Sequence, residues 1–145
     1  MIWLWLSFSG LLLHSADPPA GALVLRVENI ADREGSIRIA VYDRAEVFLN
    51  EAESIRGLVA PVTPEATQEI VLSGLPFGRY AVAIHHDCND NGKMDTNLFG
   101  IPKEPYAFSN NPEVKWRPPR FEEAVFEFKE DGQGERVVLE YWREK

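Results

Sequence analysis

The sequence has 145 residues, 23 acidic against 15 basic side chains for a net charge of −8, 45% hydrophobic residues and one cysteine. That length makes one domain with enough interior to fold without staples, the ordinary apolar fraction excludes wholesale disorder, and the acidic balance excludes a phosphate-gripping nucleic-acid surface. The lone Cys88 excludes an internal disulfide framework and a cysteine-rich zinc site.

Residues 1–16 contain no Asp, Glu, Lys or Arg, and Ile2–Leu13 is an apolar run of 12 residues. At 1.5 Å per residue this is too short to cross a hydrocarbon core of ~30 Å, so no stable membrane span is expected. It has the length of a secretory core region, with the small residues Ser15 and Ala16 before Asp17-Pro18-Pro19. A signal peptide over 1–16 is therefore expected, with a single exported domain, periplasmic or extracellular, over 17–145. An N-terminal anchor and a core segment are the alternatives. No basic residue precedes the run, and no lipobox cysteine follows it.

From Asp17 onward the pattern is that of strands. Ala22–Ile30 alternates through Leu23, Leu25 and Val27; turn residues fill Asp32–Gly35; Ser36–Tyr42 alternates again through Ile37, Ile39 and Val41. Ala45–Ser54 suits a helical turn or two. Gly57–Val62, bounded by Pro61 and Pro64, suits an edge strand. Gln68–Leu72 leads through the Gly/Pro-rich turn Ser73–Gly78 into Arg79–His86. Ala124–Phe128 and Arg136–Trp142 close the series, with a hairpin turn expected at Asp131–Gly134. Seven short strands predict an all-β fold, an antiparallel sandwich of prealbumin or immunoglobulin type.

The stretch 87–120 breaks this spacing. It has prolines at 102, 105, 112, 118 and 119 and no strand signal, so a long loop is expected. Loops of that length inside a domain are functional or pinned. A cation at its start is one pin; Phe99, Tyr106, Phe108 and Trp116 packing back onto the sandwich is another.

The start of the loop, Asp87-Cys88-Asn89-Asp90-Asn91-Gly92-Lys93-Met94-Asp95, carries oxygen side chains at positions 1, 3, 5 and 9 and glycine at 6. Alternate oxygens with a glycine at the bend form the first part of a calcium loop, in which the position-7 carbonyl, here that of Lys93, also faces the ion. Leu98 stands where an EF-hand has its bidentate glutamate, so a later acid such as Glu104 would complete the set. Two charges among the inward residues predict calcium binding at 10⁻⁴–10⁻³ M, in the range of extracellular modules. The competing reading is plain Asx-turn chemistry. Magnesium suits the site less, because it keeps its waters.

His85 and His86 are adjacent on a strand and so point to opposite faces, which argues against a shared zinc. His86, next to Asp87, is the better candidate for a role, as a donor to the loop or as a general base with Asp95 or Glu104. Cys88 reads as an incidental thiol. Ser109-Asn110-Asn111 reads as a turn that could also touch a ligand. Lys103, Lys115, Arg117 and Arg120 lie beside the loop aromatics, an arrangement that suits a glycan or protein partner.

Four stretches together resemble the bacterial domain-of-unknown-function family 2141: Leu75–Ala83 (LPFGRYAVA), His86–Asn97 with its Asp-x-Asn-x-Asn-Gly-Lys-x-Asp core, Phe99–Glu104 (FGIPKE) and Tyr106–Asn111, continuing through Phe121-Glu122-x-Ala124. The resemblance implies an exported single-domain protein and brings no activity with it. Cys88 and His85 lie outside its hallmark positions. The turn Leu75-Pro76-x-Gly78-x-Tyr80 is also similar to that of transthyretin-like and collagen-adhesin B-type sandwiches, a likeness of fold alone. The hydroxyisourate hydrolases of the transthyretin-like group carry Tyr-Arg-Gly-Ser, where this chain reads Tyr141-Trp142-Arg143-Glu144.

The expectation is a non-catalytic sandwich module. Its loop is ordered by calcium through Asp87, Asn89, Asn91, Lys93, Asp95 and Glu104, and residues 98–120 face a protein or glycan. A hydrolase built on His86 and a purely structural envelope domain are the rivals.

Overall fold

Branched apolar residues at every second position set the strands, because such side chains pack well on one face of a pleated surface. The computed structural model describes residues 16–114 and 116–142. Residues 1–15, which hold most of the expected leader, Lys115 and residues 143–145 lie outside that range. Among the described residues are eight strands: β1 (Ala20–Glu28), β2 (Ser36–Tyr42), β3 (Arg56–Pro61), β4 (Gln68–Pro76), β5 (Gly78–Asp87), β6 (Tyr106–Phe108), β7 (Phe126–Phe128) and β8 (Gly134–Val138). One short helix, α1 (Phe121–Ala124), precedes β7. The helical turns expected over Ala45–Ser54 are two 3₁₀ turns, Ala45–Val47 and Glu51–Glu53.

The strands form two sheets. The smaller runs β4-β1-β8. The larger runs β3-β2-β5-β6, with β7 also paired to β5. As the alternation predicts, Leu23, Leu25 and Val27 of β1 face Ile37, Ile39 and Val41 of β2 across one shared core, completed by Val82, Ile84, Phe128 and Val137. All of these are buried. Among the described residues no helix is long and apolar enough to cross a membrane.

Three departures from the sequence reading have physical causes. There are eight strands rather than seven, because Tyr106–Phe108 inside the expected loop pairs with Ala83–His85 of β5. The sheets are not wholly antiparallel: β8 lies parallel to β1, Val24 opposite Gly134 through Glu28 opposite Val138. And the expected hairpin at Asp131–Gly134 does not form, since β7 joins the large sheet and β8 the small one. Their connection instead ties across the sheets, with the Asp131 carboxylate accepting from the Ala22 N–H at 2.7 Å.

The Gly/Pro segment 73–78 does similar work. β4 continues to Pro76, and the chain changes sheets at Phe77. The Tyr80 hydroxyl donates back to the Pro76 carbonyl at 2.8 Å, fastening the crossing much as a tyrosine corner fastens an immunoglobulin sandwich.

The outer face of the large sheet, away from the core, carries Arg38, Ala40 and Tyr42 on β2 and Ala83 and His85 on β5. Val47, Phe48 and Phe121 pack over its Ala40–Tyr42 end. The chain from 87 to 120 folds back over the rest and is tied down at Ser109-Asn110-Asn111. The buried Ser109 hydroxyl accepts from the Val82 N–H and donates to the Ala124 carbonyl. Asn110 Nδ2 donates to Val125 O at 2.7 Å, and Asn111 bridges Arg136 O and Val138 N. Asparagine suits these two places because both have positive φ, 63° and 45°. In this structure the Ser-Asn-Asn turn is a clasp.

Candidate functional site

The loop that leaves β5 is built around the carboxylate of Asp87, which is buried at the strand end. Its two oxygens accept the N–H groups of Asn91 (3.0 Å) and Gly92 (2.8 Å), drawing the next five residues into a turn. Gly92 takes φ +82°, the bend the sequence assigned to it. Further on, Asn89 Nδ2 reaches one oxygen of Asp95 at 2.7 Å and Asn91 Nδ2 the other at 2.8 Å. These two carboxamides hold the Asp95 carboxyl below the usual carboxylate range, Asn91 contributing most. Lys93, the expected carbonyl donor, gives its own N–H to Asn91 Oδ1 at 3.0 Å.

Asp87, Asn89, Asn91, Lys93 and Asp95 thus belong to one tight loop. Among the described residues no group of three or more His, Cys, Asp or Glu side chains gathers in a metal-holding arrangement. A cation here would rest on carboxamide and backbone oxygens as much as on carboxylates. Glu104, the expected late ligand, is buried and works from behind. Its Oε1 accepts the Cys88 N–H at 2.9 Å and its Oε2 the Asp95 N–H at 3.1 Å. It ties the start of the loop to its end.

The histidines take opposite faces, as strand geometry requires. His86 is fully buried on the core face, opposite Ile37. Its Nε2 lies 2.7 Å from the Glu34 carbonyl, an acceptor, so the ring carries its proton there. That bond fastens the β1–β2 turn to β5 and leaves His86 no open approach for a substrate. His85, which the sequence reading set aside, faces the other way, into a cavity.

Cys88 is half-buried, and burial first, then the charges of Asp32, Glu104 and Asp87, push its thiol up to about 11. Because the thiolate is the reactive form, alkylation by iodoacetamide at pH 8 should run on the order of a hundredfold slower than for a free thiol of ordinary pKa near 8.5. The rate should climb about tenfold per pH unit towards pH 11. Alkylation as fast as that of a free thiol at pH 8 would show the environment of Cys88 to be misread.

Farther along the loop the aromatics divide. Tyr106 and Phe108 are half-buried on β6, whereas Phe99 and Trp116 are exposed, Trp116 meeting Trp142 edge-to-face with ring centroids 5.8 Å apart. Of the expected basic residues, Arg117 is engaged with Glu123 at 2.7 Å, an ion pair that pulls the Glu123 carboxyl down to about 2. Arg120 reaches the same carboxylate at 3.7 Å, so these cations anchor the loop to α1.

Between this loop and the outer face of the large sheet lies a cavity of about 590 Å³. Its floor is Arg38, Ala40, Ala83 and His85; its walls include Tyr42, Phe99, Ile101, Tyr106, Trp116 and Trp142. The sequence reading named none of the floor residues as functional. A signal was present: alternation puts Ile37, Ile39 and Val41 inside, so the other face of β2 should be polar and solvated. It is instead Arg-Ala-Tyr, and β5 repeats small residues at Ala81 and Ala83. Small residues on a second face of a strand mean that something else lies over it.

The family described as "Uncharacterized protein conserved in bacteria (DUF2141)" matches residues 25–135, and the chain belongs to it. No curated protein and no solved structure matches the chain.

Proposed function

We propose that this member of the family is an exported, non-catalytic sandwich module of prealbumin or immunoglobulin type. In this reading the Asp87–Asp95 loop is ordered by calcium, and residues 98–120 serve as the interaction surface for a protein or glycan. The observation that supports it most is the convergence of the Asn89 and Asn91 carboxamides on the two oxygens of Asp95, at 2.7 and 2.8 Å. The amide oxygens meanwhile face backbone, Asn89 Oδ1 accepting the Asn91 N–H at 3.2 Å and Asn91 Oδ1 the Lys93 N–H at 3.0 Å, so an ion at Asp95 would draw them from those bonds. Asp87 and the Lys93 carbonyl are the remaining ligands of the reading; each Asp87 oxygen keeps a lone pair beyond the N–H it accepts. Glu104 positions the loop without needing to touch the ion.

Two carboxylates balance one divalent cation, and so few charges favour the weak affinities, 10⁻⁴–10⁻³ M, that suit calcium-rich surroundings outside the cell. The exposed Leu98, Phe99 and Trp116 on the following segment supply the apolar area a partner would bury.

Calorimetric titration with calcium, magnesium and zinc, paired with thermal melts in calcium and in chelator, tests this. Calcium at a hundred times its Kd should add about 2.7 kcal/mol of stability. Asp95→Ala, which spares the backbone bonds made by Asp87, should abolish the gain. A wild-type melt indifferent to chelator rejects the site.

A further inference from the structure

The cavity on the outer face of the large sheet rests on observations independent of the cation loop. Arg38 and His85 sit directly opposite each other in the β2–β5 register, so both side chains rise from one point of the floor. Arg38 Nε and His85 Nε2 are both buried, and neither has a hydrogen-bond partner among the described residues. The ends of the arginine are only loosely held: its terminal nitrogens lie 3.5 Å from Glu51 Oε1 and 4.0 Å from Asp87 Oδ2. Buried donors without acceptors are costly, and native proteins rarely keep two side by side.

The chemistry of these atoms defines what would satisfy them. Arg38 Nε can only donate. His85 Nε2 donates when it carries the ring proton, so a single acceptor can serve both atoms. The missing group is therefore an acceptor oxygen. Its charge follows from the surroundings: Glu51 already stands 3.5 Å from the Arg38 guanidinium and balances it, so an incoming anion would bring an unpaired charge. The walls ask for an apolar, flat body, since Tyr42, Phe99, Tyr106, Trp116 and Trp142 present rings to the space. The volume, about 590 Å³, is within the range of small-molecule sites.

We infer that this cavity binds a small, uncharged, largely aromatic or alicyclic molecule whose carbonyl-type oxygen accepts from Arg38 Nε–H and His85 Nε2–H. The sheet fixes the two donors, and the loop supplies the apolar walls.

The test uses the full chain and three probes of one shape: 2-acetylnaphthalene with its neutral carbonyl, naphthalene with no acceptor, and 2-naphthoate with an anion. Fluorescence titration should show saturable binding of the ketone, at least fivefold tighter than either of the others. The Arg38 Nε–H resonance should shift as the ketone is added to the wild-type protein. In His85→Phe and in Arg38→Met, which keep the bulk of each side chain, the preference for the ketone over naphthalene should shrink at least threefold. Absence of saturable ketone binding, a preference for the carboxylate, or a ketone preference undiminished in both variants would each overturn the inference. The wild-type titration and its resonance shift decide the matter even where a variant fails to fold.

Discussion

Gly35→Ala is expected to lose roughly 3–5 kcal/mol of stability, combining left-handed strain with a backbone collision in a closed site. Gly35 has φ +79°, and a Cβ there would lie 2.0 Å from the Asp87 carbonyl oxygen and 2.8 Å from Cys88 Cα. Neither neighbour is a flexible side-chain end that could move aside. Its own carbonyl also accepts the Val62 N–H at 3.1 Å, so the turn is held from a second side. Gly74 provides the control: it too has positive φ, +69°, but a Cβ would meet nothing within 4 Å. Gly74→Ala should therefore cost only the conformational part, about 1–2 kcal/mol. Urea denaturation of both variants measures the difference. Equal losses would mean that the approach of the β1–β2 turn to Asp87 is not the constraint described.

Glu104→Ala should cost about 3 kcal/mol, because two part-buried N–H groups, those of Cys88 and Asp95, lose the same buried acceptor at once. Glu104→Gln, which retains one acceptor oxygen, should recover part of the loss. The decisive comparison is between melts in calcium and in chelator. A carboxylate that closes the loop through backbone amides is missed equally in both, whereas one that acts only as an ion ligand is missed only when calcium is present. Amide exchange should quicken first at residues 88 and 95.

Much of the fold could be read because it is local. Ser36–Tyr42 matches β2 residue for residue, and the edge strand expected at Gly57–Val62 is β3, Arg56–Pro61, one residue earlier. Strand β6 escaped because three residues, Tyr106-Ala107-Phe108, are too few to establish a period, and Pro105 and the Ser-Asn-Asn turn on either side suggest loop. The parallel pairing of β8 with β1 has no local signature at all, since it depends on the intervening chain's path.

The candidate site was legible to the same degree. Spacing alone placed Asp87, Asn89, Asn91 and Asp95 in one loop. It could not show that Glu104, 16 residues beyond Cys88, serves backbone amides. Nor could it show that Arg38 and His85 stand opposite each other, because that is a matter of inter-strand register. The adjacent pair His85-His86 illustrates the limit: alternation put them on opposite faces, but only the packed sheets decide which face is an interior and which a chamber.

The parallel closure of the small sheet also governs how the chain must assemble. Asn29, just past β1, bonds Leu139 O across 110 residues of sequence, and the β1 edge has its partner in β8. During synthesis the β1 margin therefore stays bare until residues 134–138 have left the ribosome, and the entropic cost of joining such distant segments slows the last step. A nascent chain of this protein remains pliable and threadable for most of its elongation, vulnerable to edge-to-edge association with its neighbours until the final strand docks.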